Sequence, residues 1–172
     1  KTLVSTAEMV GKIKAAQDAR LDQNTVIVGR TDAIAVEGLD AALCRAEAYL
    51  EAGADMLFIE APRTMNELEI VSERFADSVP LLANMVEGGK TPLSNAQDLG
   101  DMGFKFVIFP GAMVRIIAKA GQDYLKALKD DGSTAQVRNR MFDFDGLNDL
   151  LGTKKLLESG KQYDPDTLKA AE

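Results

Sequence analysis

Four short apolar runs recur along the chain, and each one ends in polar residues. The runs cover residues 25–29, 55–59, 80–83 and 104–109. Their apolar residues are continuous rather than alternating, which is typical of parallel strands that are covered on both faces. The pattern therefore predicts four parallel strands, each with polar residues at its carboxyl end.

Helical patterns fill the segments around these runs. Apolar residues at helical spacing predict helices over residues 6–19, 39–52, 66–75, 94–102 and 112–128. Successive runs begin 30, 25 and 24 residues apart, and a (β/α)8 barrel of about 250 residues averages about 31 residues per unit. We therefore predict an α/β fold that forms about half of a (β/α)8 TIM-type barrel. A doubly wound sheet is the alternative, although the Gly-rich phosphate turn that usually follows its first strand is absent.

The pattern changes after the fourth predicted unit. Residues 1–129 hold the four βα units, and residues 130–172 begin with an Asp-Asp-Gly-Ser turn. Two short helical segments follow, and a polar tail contains Tyr163, Asp164 and Pro165. We predict that residues 130–172 form a C-terminal helical appendage to the barrel rather than a second domain.

The composition narrows the chemistry that these residues can perform. The 172 residues include no histidine and one cysteine, Cys44. A Ser-His-Asp or Cys-His nucleophile system and an imidazole metal site therefore cannot be built from this chain alone. A metal held by carboxylates, carbonyls and water is more typically Mg²⁺ or Mn²⁺ than Zn²⁺, and a general base must be Asp, Glu, Lys, Tyr or Cys.

The net charge and the single cysteine indicate which partners and which cellular compartment suit this protein. The 20 Lys and Arg residues against 27 Asp and Glu residues give a net charge of −7, and basic residues are interleaved with acidic ones. This arrangement disfavours nucleic acid as a partner, and no apolar run reaches the roughly 18 residues of a membrane span. Cys44 cannot form an internal disulfide. We predict that Cys44 packs in the core and that the protein resides in the cytoplasm or another reducing compartment.

Polar residues at the ends of the predicted strands form the candidate site. Arg30 follows the first run, Glu60 the second and Asn84 the third. Because barrel active sites lie at the carboxyl ends of the strands, we expect these three side chains to meet. An arginine there suits a substrate carboxylate or phosphate, although Arg30 could instead form a structural ion pair with Asp32 or Glu60. Arg115 lies one turn into the last barrel helix, where it could reach an anion at the helix N-terminus.

Four segments of the sequence resemble one enzyme superfamily. They are Val-Gly-Arg-Thr-Asp-Ala at 28–33, Glu-Ala-Gly-Ala-Asp at 51–55, Phe-Ile-Glu-Ala at 58–61 and Ala-Asn-Met-Val-Glu-Gly-Gly-Lys-Thr-Pro at 83–92. In this order and spacing they resemble the isocitrate lyase/phosphoenolpyruvate mutase superfamily. Within it they are most similar to the branch that contains 2-methylisocitrate lyase, 2,3-dimethylmalate lyase and carboxyphosphonoenolpyruvate mutase.

The resemblance implies an architecture, a cofactor and an assembly. Members of the superfamily bind small 2-oxo or 2-hydroxy carboxylates with Mg²⁺ in a (β/α)8 barrel, and they usually form tetramers whose C-terminal helices swap between subunits. The chain then corresponds to the C-terminal half of the barrel with extra C-terminal helices, swapped between the subunits of a homotetramer. Its cofactor is expected to be Mg²⁺, with Mn²⁺ as a substitute, and the metal ligands and the mobile catalytic loop are expected upstream of Lys1.

The resemblance also implies roles for individual residues. Glu60 corresponds to the catalytic glutamate of the active site, and Arg30 to an arginine that binds a substrate carboxylate. The implied substrate-binding residues are Arg30, Asn84, Met85, Val86, Arg115 and Arg140. Arg138 is an alternative to Arg140.

The implied activity is that of a magnesium-dependent carbon–carbon lyase. Its substrate would be a small 2-hydroxy di- or tricarboxylate, similar to 2-methylisocitrate or 2,3-dimethylmalate, cleaved to a 2-oxo acid and a second carboxylate. One alternative keeps the superfamily but changes the chemistry to oxaloacetate decarboxylation or hydrolysis, or to a phosphonate P–C mutase. The other is a non-catalytic half-barrel that acts as an interaction module, because four βα units leave two sheet edges open.

Overall fold

The computed structural model describes residues 1–163, in which strands and helices alternate. The strands are β1 (Val28–Thr31), β2 (Met56–Ile59), β3 (Leu82–Asn84) and β4 (Phe106–Ile108). The helices are α1 (Thr6–Ala19), α2 (Leu39–Glu51), α3 (Met65–Phe75), α4 (Ala96–Met102), α5 (Ala112–Asp131), α6 (Phe144–Leu151) and α7 (Thr153–Gly160). Short 3₁₀ helices cover Ala33–Ala35, Ala135–Arg140 and Lys161–Tyr163. The five helices predicted from apolar spacing are all present.

The described residues form two compact units, Lys1–Arg115 and the residues from Ile116 onward. The first unit contains the four strands and α1 to α4, and the second contains α6, α7 and most of α5. The predicted boundary after residue 129 stays a prediction. Asp164 and Pro165 of the predicted polar tail lie outside the described residues. Within residues 1–163, no helix is both long and apolar enough to cross a membrane.

The four strands are parallel and pair in the order of the sequence. β1 pairs with β2 and β3 with β4, and a parallel bridge between Leu57 and Leu81 joins the two pairs. At this junction the backbone N–H of Leu57 donates to the carbonyl of Pro80 at 3.1 Å. Each strand thus follows its predecessor around the sheet, as in a (β/α)8 barrel, whereas a doubly wound sheet reverses direction at a switch point.

The first strand lies further along the chain than its apolar run predicted. Its pairing partner β2 runs from Met56 to Ile59, and the register places Val28 to Thr31 opposite those residues. Arg30 therefore lies within the strand rather than after it. The apolar run at 25–29 could not reveal this shift, because hydrogen bonding to the neighbouring strand, and not hydropathy, sets the register.

Side-chain caps and left-handed glycines set the helix ends. The Thr64 Oγ1 accepts the backbone N–H of Glu67 at 3.1 Å at the start of α3, and the Asn95 Oδ1 accepts that of Asp98 at 2.9 Å at the start of α4. Helix α4 ends at Gly103, whose φ of 118° is a conformation that residues with a Cβ rarely adopt.

A continuous apolar core lies between the strands and helices of the first unit. Leu57 in the centre of β2, Leu81, Leu68 of α3 and Leu99 of α4 are each less than 2% exposed. All four residues of β2 are buried, which agrees with the prediction of a strand covered on both faces. This core holds the strand ends in place, and with them the candidate site.

The prediction that Cys44 packs in the core is wrong. Cys44 is exposed on α2, whereas the buried face of this helix consists of Ala42, Ala46 and Tyr49. These three residues follow the helical period, and position 44 lies about half a turn away from each of them. An apolar residue in a helical segment therefore did not by itself show which face it occupies.

Candidate active site

The carboxyl ends of three neighbouring strands bring together the three predicted strand-end residues. Arg30 lies in β1, Glu60 directly follows β2, and Asn84 is the last residue of β3. The backbone N–H of Glu60 donates to the carbonyl of Thr31 at 2.9 Å, which extends the pairing of β1 and β2 as far as Glu60. Ala61, the next residue, has a φ of 62°, a strained conformation for a residue with a Cβ that is found most often at functional sites.

Glu60 connects the other two residues. The Asn84 Nδ2 donates to the Glu60 Oε2 at 3.2 Å, and the Arg30 Nη2 lies 3.5 Å from the same oxygen. The Glu60 side chain is 16% exposed. A carboxylate this far from solvent is costly unless it is paired, so these two partners offset the cost of placing Glu60 there.

Asp32 fixes the orientation of the Arg30 guanidinium. The Arg30 Nε donates to the Asp32 Oδ2 at 3.0 Å and the Nη2 to the Oδ1 at 3.3 Å, and Lys1 also pairs with Asp32. The guanidinium carbon lies 4.5 Å above the centre of the Phe58 ring, a cation–π contact. The ion pairs that the sequence left open as an alternative are therefore both present. They also orient Arg30 in advance for an anion.

The charges of this cluster shift the acidity of its members. The Arg30 guanidinium, through its hydrogen bonds, holds the pKa of the Asp32 carboxyl below its usual value, and Lys1 acts in the same direction. Asp32 in turn raises the pKa of Arg30, with a smaller contribution from Glu60. Each of the two groups therefore favours the charged form of the other.

A cavity of about 640 Å³ opens at these strand ends. Glu60 and Asn84 line it together with Val86, and Lys1 and Lys90 contribute the positive charges of its wall. The Asn84 Oδ1 is buried and accepts no hydrogen bond within the described residues. A buried polar atom without a partner is costly, so this oxygen is an unsatisfied polar atom next to the cavity.

The side chains of the two residues that follow Asn84 lie in different surroundings. Val86 lines the cavity, whereas the Met85 side chain is fully buried in the apolar core and its backbone N–H donates to the carbonyl of Ile108 at 2.8 Å. Alternation of side chains along an extended segment explains the difference. The position of the Met85 side chain therefore gives no support to the predicted contact of Met85 with substrate.

The remaining predicted arginines are placed differently. Arg115 at the start of α5 donates through Nη1 to the backbone carbonyl of Glu87, in the loop that follows β3. Arg140 belongs to the second compact unit, where its Nη1 donates to Asp123 of α5 at 3.0 Å. The substrate-binding roles of Arg115 and Arg140 stay predictions, as do those of the strand-end residues.

Sequence reasoning missed two residues of this edge. Lys1 pairs with Asp32 and lines the cavity, and Lys90 lines it from the Gly-Gly-Lys-Thr loop after β3. Lys1 could not be found from sequence, because it lies far from the strands in the chain. Lys90 could have been found, since it lies beyond the carboxyl end of a predicted strand in the same way as the residues that were named.

The described residues do not form a metal site by themselves. Within residues 1–163, no three Asp, Glu or Cys side chains lie close enough together to bind a metal ion. Glu60, which lines the cavity, and Asp32 are both engaged by Arg30. We therefore assign no metal ligand among these residues.

Comparison with sequences of known proteins identifies relatives. The family model described as phosphoenolpyruvate phosphomutase matches residues 1–129. The chain is 44% identical over 163 residues to a 2,3-dimethylmalate lyase from Eubacterium barkeri, covering 95% of this chain and 56% of that protein. It is 44% identical over 168 residues to a 2-methylisocitrate lyase from Bacillus subtilis strain 168, covering 98% of this chain and 52% of that protein. The chain thus spans about half the length of the curated relatives it matches.

Solved structures share the same architecture. The crystal structure of a 2,3-dimethylmalate lyase, described as a PEP mutase/isocitrate lyase superfamily member, matches with a TM-score of 0.81 and 31% identity over 94% of this chain and 56% of that chain. An oxaloacetate acetylhydrolase in complex with the inhibitor 3,3-difluorooxalacetate gives a TM-score of 0.83 at 28% identity, over 95% and 55% of the two chains. A phosphonopyruvate hydrolase in complex with oxalate and Mg²⁺ gives a TM-score of 0.77 at 28% identity, over 94% of this chain and 57% of that chain.

These matches confirm the resemblance found in the sequence motifs and the predicted α/β half-barrel. The family model covers three quarters of the chain, and the two lyases match almost all of it at 44% identity. The chain belongs to the phosphoenolpyruvate mutase/isocitrate lyase superfamily.

Proposed function

We propose that the whole protein is a carbon–carbon lyase that cleaves a small 2-hydroxy di- or tricarboxylate, similar to 2,3-dimethylmalate or 2-methylisocitrate, into a 2-oxo acid and a second carboxylate. The observation that carries the proposal is the meeting of Arg30, Glu60 and Asn84 at three consecutive strand ends beside the cavity. The two relatives that match almost all of the chain support the same reaction class through their names.

Each of these residues has a role that follows from its contacts. Arg30 binds a carboxylate of the substrate, because its guanidinium is held in place by Asp32 and Phe58 before the substrate arrives. Asn84 hydrogen-bonds the substrate, because it lines the cavity at the end of β3. Glu60 holds Arg30 and Asn84 in one arrangement and places a negative charge beside the reacting hydroxyl.

We also propose that the activity requires Mg²⁺, with Mn²⁺ as a substitute. The phosphonopyruvate hydrolase structure with oxalate and Mg²⁺ supports this proposal. A bound divalent ion would stabilise negative charge that develops on the 2-oxo acid. The ligands are expected outside residues 1–163, because these residues offer no group of three. The lyase activity should disappear when the protein is treated with EDTA and return when MgCl₂ is added in excess.

Arg30→Ala in the whole protein tests the role of the cluster. Loss of a charged partner for a bound carboxylate costs about 2–5 kcal/mol, so we expect kcat/KM for 2,3-dimethylmalate or 2-methylisocitrate to fall by about 30-fold or more. Arg74→Ala is the matched control. Arg74 also pairs with a glutamate, Glu47, but it is 59% exposed on α3, so its loss should leave kcat/KM unchanged.

The assignment is refuted if Arg30→Ala and Arg74→Ala give the same kcat/KM as the wild type. Circular dichroism spectra of both variants establish that each is folded. If Arg30→Ala loses activity only in proportion to a loss of folded protein, the residue is structural and its role in substrate binding is wrong.

A second activity within the superfamily is favoured by one observation. The oxaloacetate acetylhydrolase gives a TM-score of 0.83 with this chain, so hydrolysis or decarboxylation of oxaloacetate is the alternative, and a phosphonate P–C mutase is a further one. A panel of 2-methylisocitrate, 2,3-dimethylmalate, oxaloacetate and phosphonopyruvate separates these reactions. Turnover of oxaloacetate or phosphonopyruvate alone would replace the lyase assignment.

Assembly into a homotetramer with swapped C-terminal helices stays a prediction. Apolar side chains of α5 to α7 support it, since Ile116, Ile117, Phe144 and Leu156 are each more than 60% exposed and exposed apolar clusters favour association. Light scattering on the whole protein gives the mass directly. A stable monomer without metal binding would favour the alternative of a non-catalytic interaction module.

A further inference from the structure

We propose that Lys90 makes the site selective for substrates with a second carboxylate, an inference that rests on the lyase function proposed above. Lys90 belongs to the loop after β3 and lines the same cavity as Glu60 and Asn84. The roles that the superfamily resemblance implies for this chain do not include it. Three observations support the proposal: the charge balance of the cavity, the pairing of its cations and the spacing of the strands.

The charges around Arg30 cancel one another. Arg30 and Lys1 are positive, Asp32 and Glu60 are negative, and ion pairs connect all four side chains. A dicarboxylate brings two negative charges into this cavity. Arg30 can bind one carboxylate directly, but the cluster as a whole has no surplus positive charge to balance the second.

Lys90 supplies this missing positive charge. The cavity wall contains two ammonium groups, those of Lys1 and Lys90. Lys1 is paired with Asp32, whereas no ion pair of Lys90 is formed within residues 1–163. The net charge of these 172 residues is −7, so this part of the protein repels anionic substrates, and a local cation at the cavity offsets this field.

The spacing of the strands suits a substrate with two carboxylates. Arg30 lies on β1 and Lys90 follows β3, with β2 between them. Neighbouring strands lie about 4.8 Å apart, so the ends of β1 and β3 are separated by roughly 10 Å. Lys90 lines the cavity and Arg30 pairs with Glu60 on its wall, so these two cations can each bind one carboxylate of the same small molecule. Gly88, with a φ of 71°, lets the loop turn back at this point.

Kinetics of Lys90→Met in the whole protein test the proposal. Methionine keeps the length and apolar stem of lysine but removes the charge. We expect KM for 2,3-dimethylmalate to rise about 10-fold, which corresponds to about 1.4 kcal/mol of lost binding, with little change in kcat. Lys90→Arg should restore KM. Lys105→Met is the matched control, because Lys105 is exposed at the amino end of β4, at the opposite edge of the sheet.

Direct binding separates this inference from the lyase function. Calorimetry should show that the wild type binds succinate at least about 10-fold more tightly than butyrate, which lacks the second carboxylate. Lys90→Met should remove this preference, and Lys105→Met should keep it. Wild-type protein that cleaves neither 2,3-dimethylmalate nor 2-methylisocitrate would refute the lyase function, while the succinate measurement would still decide the role of Lys90. Equal preference for succinate in the wild type and Lys90→Met, an equal loss in Lys105→Met, or no recovery in Lys90→Arg would each overturn the inference.

Discussion

Asp55 lies at the amino end of β2, at the edge of the sheet away from the candidate active site. Its Oδ2 accepts hydrogen bonds from the Arg20 Nη1 and from the backbone N–H of Ile27, both at 2.8 Å. Arg20 is 11% exposed and also donates to the carbonyl of Thr25 at 3.0 Å. These bonds join the end of α1, the segment before β1 and the start of β2.

Replacing Asp55 with alanine should destabilise the protein without changing its chemistry. Each hydrogen bond to a charged group contributes about 1.5–3 kcal/mol. The Asp55 side chain is 34% exposed, so solvent screening reduces that contribution. We expect the free energy of unfolding to fall by about 2–3 kcal/mol. Much of this loss of stability comes from the Arg20 guanidinium, which would be left nearly buried without a charged partner.

The effect of pH on this variant has a definite sign. The N–H of Ile27, together with the Arg20 guanidinium, holds the pKa of Asp55 below its usual value in the folded protein. A carboxyl with a lowered pKa stabilises the fold above its unfolded pKa of about 3.9, and this contribution disappears as the pH falls through the folded pKa. The difference between wild type and Asp55→Ala should therefore be greatest above pH 5 and should narrow as the pH falls towards 3.

Urea titrations of the wild type, Asp55→Ala and Asp55→Asn measure these differences. Asparagine keeps an acceptor oxygen for Ile27 but loses the charge that pairs with Arg20, so it should have an intermediate stability. Asp18→Ala, at an exposed position of α1, is the control and should differ by less than about 0.5 kcal/mol. A loss of stability in Asp55→Ala that stays constant or grows as the pH falls would refute the reasoning. So would a lower kcat/KM in folded Asp55→Ala.

Two further substitutions test the packing of the first unit. Leu57→Ala removes a fully buried side chain from the centre of β2 and should lower the free energy of unfolding by about 2–5 kcal/mol. A decrease below about 1 kcal/mol would show that the core tolerates a cavity there. Gly103→Ala forces a Cβ to within 2.7 Å of the Ser72 Oγ and 2.9 Å of the Ala76 Cβ at a φ of 118° and should lower the thermal unfolding midpoint. Gly11→Ala in α1, where a Cβ meets nothing within 4 Å, should instead raise the midpoint, and equal shifts in the two variants would contradict the argument.

Local patterns determined most of the secondary structure. Helix α1 has the bounds predicted from apolar spacing, 6–19, and α4 begins close to its predicted start, with a side-chain cap from Asn95. The fully buried strand β2 follows its apolar run. These features depend on residues close together in the sequence, because caps, turns and helical periodicity are satisfied within one or two turns of chain.

The candidate site was also partly visible in the sequence. Arg30, Glu60 and Asn84 could be named because a parallel sheet places the carboxyl ends of its strands at one edge, whichever side chains fill the core. Lys1 could not be named in this way. Its pairing with Asp32 spans 31 residues, and no local pattern specifies a contact at that separation.

The sequence by itself therefore determined the elements, their parallel order and the residue types at the strand ends. The tertiary structure decided which of these residues meet. It buried Met85 in the core and turned Val86 towards the cavity, exposed Cys44, and tied Arg30 to both Asp32 and Glu60. The physical reason is that strand register and helix rotation are set by hydrogen bonds and packing between distant segments. A shift of one residue along a strand exchanges the buried face for the exposed one.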